Sequence, residues 1–328
     1  MLQPHFKIKA LAFTNSPIKL PFYFLIQFFQ LLILLPRTSY YLCFFGGYHS
    51  VLPTFFGKVL RKKVFIQCGG TDAMNMPEIN YGNFRKKWLR KATVYSFKNC
   101  TKILPVADAL IQQNYLYDET INPKQGLLNL IPDLTTPIQV IHNGFDLSFW
   151  KDRGSQKTPN SFITVATGIA MENRAIVKGI DLILEMASEY PKYEFTLVGD
   201  ESFKSTLKNV RVIGKTEPET LRDLFSHHRF YLQLSTSEGF PNALAEAMLC
   251  GCVPIGSAVG AIPEIIGQAG FILEKKDASL LKQIFEELKS ADLDHLSHAA
   301  TSRIRENFSY RKRQRSLLEL FAPIDVKE

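Results

Sequence analysis

The second half of the chain alternates between short apolar runs and amphipathic helical patterns, and this alternation constrains the fold more than any other feature. Residues 162–167 (FITVAT) predict a buried strand, residues 178–190 (KGIDLILEMASEY) a helix, and residues 193–200 (YEFTLVGD) a second strand. The same order continues with NVRVIG (209–214), PETLRDLFSHH (218–228) and FYLQLST (230–236). Successive strand–helix–strand units favour a parallel sheet with helices on both faces, so the predicted fold class is α/β.

The first half predicts another α/β unit with a less regular pattern. Strands are predicted at 40–45, 63–68 and 102–106, and helices near 50–61, 82–98 and 107–116. Residues 137–146 (PIQVIHNGFD) bring a strand to an Asn143-Gly144 turn, and the polar segment 150–161 that follows is the predicted linker. A length of 328 residues also favours two domains. The last predicted element is a single helix at 299–321.

The excess of positive charge lies in the first half. Residues 1–150 hold 16 Lys or Arg against 7 Asp or Glu, whereas residues 151–328 hold 23 against 24. Such a basic half could face an anionic membrane, nucleic acid or an acidic substrate, or it could be an ordinary solvated surface. The most apolar stretch, Leu20–Leu35, falls short of a spanning helix with its 16 residues, and we expect it to be buried or to dip into a membrane interface.

Residues 238–248 (EGFPNALAEAM) predict a ligand site. A strand runs into this loop and then into a helix, so the loop lies at the carboxyl end of a parallel strand, where α/β folds bind ligands. Backbone N–H groups at the helix start favour a phosphate, and Gly239 allows its close approach. Glu246 could accept hydrogen bonds from a ribose diol, and Glu238 would face what lies beyond the phosphates. The alternative is a helix whose acids match its dipole and whose alanines pack.

The longer stretch EGFPNALAEAMLCGCVPIGSAVGAIPEIIG (238–267) resembles the nucleotide-sugar site of the retaining glycosyltransferases of family 4, which have the GT-B fold. Residues 165–187 resemble the first strand, loop and helix of the second domain of that family. Residues 140–150 look like its interdomain turn, and residues 305–321 look like its closing helix. The resemblance extends from residue 40 to residue 321 and is strongest from 140 onward.

The resemblance implies an architecture and a set of site residues. It implies two Rossmann-like domains facing across a cleft, with residues 1–148 on the acceptor side, residues 149–305 binding the donor, and residues 306–328 crossing back as a helix. Arg174 and Lys178 are expected to bind the donor diphosphate and Glu246 its ribose. Glu238 is expected to position the donor sugar and stabilise its developing positive charge. The sugar and phosphate path is expected to be lined by Gly239, Phe240, Asn242 and Leu244.

By the same resemblance, the reaction is transfer of a sugar from a UDP- or GDP-sugar with retention of configuration, without a metal or another cofactor. Two segments depart from the family. No run before residue 40 matches the Gly-rich loop that members usually carry in the N-terminal domain. In QCGGTDA (67–73), Gly69 stands where the family has a histidine. The acceptor-side candidates are therefore His49 and Asp72.

Three classes of function stay open. The leading one is a glycosyltransferase that acts on a glycan or lipid-linked acceptor, in the synthesis of a cell-surface polysaccharide or glycolipid. The second is a nucleotide-sugar epimerase of similar fold, and the third is a nucleotide-binding protein that has lost transfer activity. No nucleic-acid partner is expected, since no recognised motif accompanies the basic charge.

Two further patterns concern location and metals. Five scattered cysteines and an N-terminus without a signal-peptide pattern predict a reduced, cytoplasmic protein, peripheral at the inner face of the membrane where its basic half could bind anionic lipid. Asp292 and Asp294 have the spacing of the metal-binding pair in the other main glycosyltransferase fold. Helix capping explains this pair better, so no metal site is expected there.

Overall fold

The computed structural model describes residues 2–14 and 16–321, and the chain divides into two compact units. Unit 1 comprises Met1–Asn114, Asn122–His142 and Arg313–Glu328, and unit 2 comprises Tyr115–Ile121 and Asn143–Lys312. Each unit is built on its own parallel sheet. The predicted α/β fold class is therefore confirmed.

Unit 1 has a three-stranded parallel sheet in the order β1-β2-β3. Its strands are β1 (Tyr40–Phe44), β2 (Lys63–Cys68) and β3 (Lys102–Pro105), with a short antiparallel pair, β4 (Gln113–Asn114) and β5 (Lys124–Gln125). Its helices are α1 (Leu20–Leu34), α2 (Tyr48–Val59), α3 (Lys87–Asn99) and α4 (Leu127–Leu130). Single 3-10 turns lie at Leu35–Arg37, Thr71–Ala73, Pro77–Ile79, Asn83–Arg85 and Asp108–Leu110.

Unit 2 has a six-stranded parallel sheet in the order β11-β10-β9-β6-β7-β8. Its strands are β6 (Thr158–Val165), β7 (Glu194–Val198), β8 (Val210–Ile213), β9 (His228–Gln233), β10 (Val253–Ser257) and β11 (Phe271–Leu273). The helices are α5 (Glu172–Val177), α6 (Ile180–Glu189), α7 (Pro218–His227), α8 (Asn242–Leu249), α9 (Ile262–Ile266), α10 (Ala278–Glu287) and α11 (Leu293–Asn307). The last helix, α12 (Tyr310–Phe321), begins in unit 2 and continues in unit 1.

The core of unit 2 is organised around Phe162 on the central strand β6. Its ring stacks on those of Phe195, Phe230 and Phe285, with centroid distances of 5.1, 4.7 and 4.8 Å. Strand β6 pairs with both β7 and β9, so the stacked rings join three neighbouring strands to helix α10. Aromatic stacking adds to the free energy of burial, and this cluster anchors the sheet that carries the site.

Residues from the end of the chain complete the core of unit 1. The cluster consists of Phe65, Leu104, Ile141, Leu317, Leu320 and Phe321. Beside it, the guanidinium of Arg313 donates to Gln67 Oε1 and to the carbonyl oxygen of His142, each at 2.6 Å. Helix α12 is therefore fixed to strands β2 and β3 by both apolar and polar contacts.

The helix predicted at 107–116 is wrong. Only a 3-10 turn forms there, and strand β4 follows it at Gln113–Asn114. The carbonyl oxygens of Ile111 and Gln113 accept hydrogen bonds from the backbone of Leu128 and the side chain of Asn129. Because these carbonyl groups have partners in the next segment, they do not continue a helical ladder.

The single helix predicted at 299–321 is also wrong, because α11 and α12 are separated at Phe308 and Ser309. The N–H of Phe145 donates to the carbonyl of Phe308, and the N–H of Tyr310 donates to the carbonyl of Phe145, both at 2.9 Å. This pairing with a distant segment removes both groups from the helix. The prediction that residues 150–161 link the two units is also wrong, because this segment lies within the stretch Asn143–Lys312 of unit 2, and β6 already begins at Thr158.

Helix α1 and the 3-10 turn after it form one apolar segment, Leu20–Arg37, of 18 residues. By length and composition alone, this segment could cross a membrane, so the prediction that the stretch is too short is wrong. Within α1 only Gln27 and Leu31 are buried. The expectation of a buried helix thus holds for one face of α1 only.

We expect Phe162→Ala to lower the free energy of unfolding by about 3–5 kcal/mol, because it removes the ring on which three others stack. Denaturant unfolding followed by circular dichroism measures the change. Leu116→Ala is the control, since Leu116 also lies in unit 2 but is 61% exposed. Equal effects of the two substitutions would contradict the central role of Phe162.

Candidate functional site

The candidate site is the loop that joins β9 to α8 in unit 2. Strand β9 lies between β10 and β6, and its carboxyl end at Gln233 leads into residues 234–241. Ser235, Thr236 and Ser237 are completely or almost completely buried although they are polar. A polar loop buried at the carboxyl end of a central parallel strand is the usual position of a ligand site in an α/β fold.

The carboxylate of Glu238 is held by three side chains. Its Oε1 atom accepts hydrogen bonds from Ser235 Oγ at 3.0 Å and Gln233 Nε2 at 3.3 Å, and it forms an ion pair with Lys178. The side chains of Lys178 and Glu238 are only 22% and 13% exposed. Two charges this deeply placed are stable only as a hydrogen-bonded pair, so the geometry fixes both side chains.

Thr236 connects this loop to the segment that carries Lys178. Its N–H donates to the carbonyl of Val177 at 2.8 Å, and its hydroxyl donates to the carbonyl of Ile176 at 3.1 Å. Gly179 follows with a positive φ of 69°, and a Cβ there would lie 2.1 Å from the carbonyl oxygen of Leu234. Only glycine allows this close approach, which brings Lys178 beside Glu238.

Tyr115 supports the same loop from a different part of the chain. Its hydroxyl donates to the carbonyl oxygen of Thr236 at 2.9 Å, and its side chain is buried. Tyr115 belongs to the segment Tyr115–Ile121, which lies in unit 2 although it comes from the first half of the sequence. Sequence reasoning did not identify Tyr115 or Thr236, because only the folded chain shows that these two residues meet.

A second loop, between β10 and α9, packs on the first. The N–H of Ala261 donates to the carbonyl of Gly239 at 3.0 Å. Gly260 has a positive φ of 54°, and a Cβ there would lie 2.1 Å from the carbonyl oxygen of Glu238. The glycine of the motif segment GAIPE (260–264) is therefore needed for structure, because it allows the two loops to touch.

The N-terminus of helix α8 has no side-chain cap. The helix begins at Asn242, and Pro241 precedes it as the cap residue. The first backbone N–H groups of a helix lack intrahelical acceptors, and they favour an anion. The nearby Ser237 hydroxyl is buried without a hydrogen-bond partner in the described part of the chain. This end of the helix therefore offers several unused hydrogen-bond donors.

Glu246 lies in the second turn of α8 and is half-buried. Burial raises the pKa of its carboxyl group to about 7. Within residues 2–14 and 16–321, no side chain forms a hydrogen bond or ion pair with this carboxylate. A buried carboxyl group without a partner requires a ligand that can donate hydrogen bonds to it, or it must remain partly protonated.

The other predicted donor-side residues occupy different environments. Arg174 is exposed on α5, four residues before Lys178, which places both on one side of the helical turn. Asn242 is exposed, and its Oδ1 accepts a hydrogen bond from Asn143 at 2.8 Å. Leu244 is fully buried, and the Phe240 ring packs against Phe308 and Phe145. The side chains of Leu244 and Phe240 are therefore packed in the protein and do not line the sugar and phosphate path as predicted.

The two acceptor-side candidates lie in unit 1. Asp72 is fully buried, and its carboxylate accepts hydrogen bonds from the N–H groups of Gly46, Gly69 and Gly70. Burial raises the pKa of Asp72, although these N–H groups oppose the shift. The thiol of Cys68 also donates to Asp72 Oδ1 at 3.4 Å. Because Asp72 is fully buried and both of its oxygens have protein partners, it organises the loops after β1 and β2, and the prediction that it contacts the acceptor is wrong. His49 is half-buried, with Nε2 2.6 Å from the carbonyl oxygen of Phe44.

The departure at Gly69 has a local explanation in unit 1. A Cβ at this position would lie 2.1 Å from the ring of Phe45. The aromatic ring therefore occupies the space that a histidine side chain would need at residue 69.

The capping interpretation of Asp292 is confirmed, since its Oδ1 accepts a hydrogen bond from the N–H of His295 at 3.0 Å, and Asp294 pairs with Arg229.

The geometry of unit 2 agrees with the family that the sequence resembles. Residues 165–290 match the family described as Glycosyl transferases group 1. The fold class is GT-B, as in the sucrose-phosphate synthase of Thermosynechococcus elongatus, with a TM-score of 0.70, 14% identity, and coverage of 95% of this chain and 80% of that one. HepE of Anabaena, solved with UDP and glucose, has a TM-score of 0.69 and 16% identity over 98% of this chain and 87% of its own.

A more specific likeness is found among characterised proteins. Over 158 residues, the chain is 25% identical to the gpi3 subunit of the phosphatidylinositol N-acetylglucosaminyltransferase of Schizosaccharomyces pombe. The matched part is 43% of this chain and 33% of that subunit. The chain thus spans one third of the length of this relative. The predicted resemblance to glycosyltransferases with the GT-B fold is confirmed by the family match and by the solved structures.

We expect Tyr115→Phe to lower the free energy of unfolding by about 1–2 kcal/mol, because the buried carbonyl of Thr236 loses its donor. Thermal unfolding of the full chain measures this change. Tyr310→Phe is the matched control, since Tyr310 also lies in unit 2 but is 37% exposed. A Tyr115→Phe variant as stable as the Tyr310→Phe control would show that the hydrogen bond does not support the loop.

Proposed function

We propose that this protein transfers a sugar from a nucleoside-diphosphate sugar, with UDP or GDP as the nucleotide, to a glycan or lipid-linked acceptor. The observation that carries the proposal is the half-buried carboxyl group of Glu246, which has no hydrogen-bond partner among the described residues. It lies on the helix that follows the loop with the Lys178–Glu238 pair. A ribose, a diphosphate and a sugar are the three groups that such a site could bind in series. The match to Glycosyl transferases group 1 supports the same reaction class.

Glu246 would bind the ribose. An ionised carboxylate can accept one hydrogen bond from each of two neighbouring hydroxyls, and a ribose presents two on adjacent carbons. In the protein without a donor, this carboxyl group has no such partners within the described residues, and its pKa is about 7. Binding of the diol would favour the ionised form and would lower that pKa.

The diphosphate would be bound by Lys178, Arg174 and the N-terminus of α8. The ammonium group of Lys178 has three N–H donors, so it can keep its ion pair with Glu238 and also contact a phosphate oxygen. Arg174 is exposed and can rotate toward an anion. Negative charge develops on the leaving diphosphate during transfer, and these donors would stabilise it without a metal.

Glu238 would act on the sugar. Its position is fixed by Ser235, Gln233 and Lys178, so its second carboxylate oxygen can be directed at a ligand with little loss of conformational entropy. A carboxylate next to the anomeric carbon stabilises the positive charge that develops there. We propose retention of configuration, with the departing diphosphate accepting the proton of the acceptor hydroxyl.

The acceptor and the cellular location are proposals of the same kind. The name of the gpi3 relative describes transfer of N-acetylglucosamine to phosphatidylinositol, which favours a lipid-linked acceptor here as well. We propose that the protein is cytoplasmic and peripheral at the inner face of a membrane, and that it builds a cell-surface polysaccharide or glycolipid. A nucleotide-sugar epimerase would change the donor without any acceptor, and a binding protein would leave it intact, so product analysis separates the three.

We expect the affinity for a UDP-sugar to fall as the pH is lowered below about 7, because protonated Glu246 cannot accept both ribose hydrogen bonds. Calorimetry between pH 5.5 and 8 measures this dependence. Below the pKa, we expect the affinity to fall by up to about tenfold per pH unit. A UDP-sugar is preferred to UDP because its phosphates do not titrate in this range. Glu246→Gln should make the affinity both weaker and independent of pH, and a flat profile for the wild type would contradict the role.

We expect Lys178→Met to weaken binding of UDP by about tenfold to hundredfold and to leave binding of uridine unchanged, because only the diphosphate needs the ammonium group. Calorimetry with both ligands, in the presence of a chelator, measures the difference. The double variant Lys178→Met, Glu238→Gln controls for the unpaired charge that the single variant leaves. Equal loss for UDP and uridine, or dependence on added metal, would contradict the proposed metal-free diphosphate site.

A further inference from the structure

Helix α1 in unit 1 exposes an apolar stripe along the side opposite its buried residues. The stripe consists of Phe22, Leu25, Phe29, Leu32 and Ile33 at helical spacing, and Ile18, just before the first turn, extends it. Ile18 is 92% exposed, Ile33 76% and Phe22 64%. The helix has no charged residue over its whole length. A helix face turned to water normally carries polar residues, so this stripe requires an apolar partner.

The stripe cannot turn into the protein, because the other side of α1 is fixed. The side chain of Gln27 donates to the carbonyl of His49 at 2.9 Å, Leu31 is buried, and the ring of Phe28 packs on Phe56 of α2. The neighbouring helix α2 extends the apolar surface. It exposes Phe55, Val59 and Leu60 at its C-terminal end.

The charged residues of this part of the sequence all have one sign. From the start of the chain to Asp72, the sequence contains eight Lys or Arg residues and no Asp or Glu. The ammonium of Lys62 donates to the carbonyls of Leu35 and Thr38, both at 2.6 Å, which places the basic run 61–63 at the C-terminal end of α1. Exposed Arg37 and Arg61 lie in this region, and exposed Lys19 precedes the other end of the helix.

We propose that the stripe of α1, the exposed end of α2 and these basic residues form a membrane-docking surface, with α1 lying in the plane of an anionic lipid interface. An apolar band flanked by basic residues matches a bilayer, in which anionic phosphates lie above an apolar interior. A protein partner would give no reason for a stretch of sequence before Asp72 that carries basic residues and no acidic ones. The inference rests on the peripheral location proposed above, gives it a defined surface, and does not require transfer activity.

The attachment of α1 to α2 sets the mode of binding. A helix that spans a bilayer is surrounded by lipid or by other spanning segments, whereas α1 keeps one side against the sheet-bearing unit through Gln27 and Phe28. The length of Leu20–Arg37 would allow spanning, but this contact face favours shallow insertion of the stripe alone.

Co-sedimentation of the full chain with phosphatidylcholine vesicles, with and without phosphatidylglycerol, tests the proposal. We expect binding to the anionic vesicles and release by salt. Phe29→Ser should lower the partition coefficient about tenfold, through lost apolar insertion. Arg61→Glu should lower it at least about fivefold, through lost attraction to anionic lipid. Two exposed positions of unit 2 supply matched controls, Met171→Ser and Arg305→Glu, which should bind as the wild type does.

The depth of insertion distinguishes docking from spanning. Phe22→Trp and Ile33→Trp place probes about 16 Å apart along the helix axis. Brominated lipids quench tryptophan fluorescence, and the wild-type protein gives the background from the native Trp88 and Trp150. After this background is subtracted, the quenching should report the same shallow depth for both probes. Different depths, with resistance to alkaline carbonate extraction, would show that α1 spans the bilayer and would overturn the proposal.

Two other results would also overturn it. One is the absence of wild-type binding to either vesicle type at low salt. The other is a dimer in solution that Phe29→Ser converts to a monomer, since a second copy would then cover the stripe. Glu238→Gln should bind vesicles as the wild type does, so a failure of the proposed transfer reaction and a failure of the docking surface give different results.

Discussion

The hydrogen bonds of Thr236 are the interaction on which the candidate site depends. Lys178 and Glu238 are 60 residues apart in the sequence. They meet because Thr236 binds the carbonyls of Ile176 and Val177, and because Gly179 allows that segment to pass close to Leu234. The loop after β9 and the end of α5 therefore behave as one rigid piece. Tyr115 and the Gly260 loop fix this piece from two further directions.

The two glutamates of the loop and helix illustrate how surroundings decide the role of a carboxyl group. Glu238 has three protein partners, one of them positively charged, so its charge is balanced before any ligand arrives. Glu246 is buried to a similar degree but has no such partners within the described residues, so burial raises its pKa to about 7. The first carboxylate is preorganised by the protein, and the second is left for a ligand to complete. The same sequence motif thus contains one satisfied and one unsatisfied acid.

Much of the fold could be predicted from the sequence because it follows from local periodicity. The strands at Phe162, Phe195 and Phe230 lie in apolar runs of strand length, and their order predicts a parallel sheet. The break at Phe308 could not be predicted, since it depends on two hydrogen bonds with Phe145, far away in the sequence. The missing helix after Ala107 has a similar cause in long-range pairing.

The candidate site shows the same division. The motif places Glu238 and Glu246 at the carboxyl end of β9, and that position could be predicted from the strand–loop–helix order. The direction of each side chain could not be predicted in this way. Leu244, for example, lies in the buried core. Asp72 and Tyr115 depend on contacts between distant segments, and such contacts leave no periodic signal in the sequence.

The way in which the chain returns to unit 1 has a consequence for the order of folding. The cluster around Phe65 and Leu104 is closed by Leu317, Leu320 and Phe321, close to the last described residue. During synthesis, strands β1 to β3 therefore leave the ribosome long before the side chains that cover one part of their sheet exist. Unit 2 is continuous apart from Tyr115–Ile121 and can complete its core earlier. The unit whose strands are made first is thus the unit that finishes folding last, and its apolar residues stay accessible to chaperones until α12 has been made.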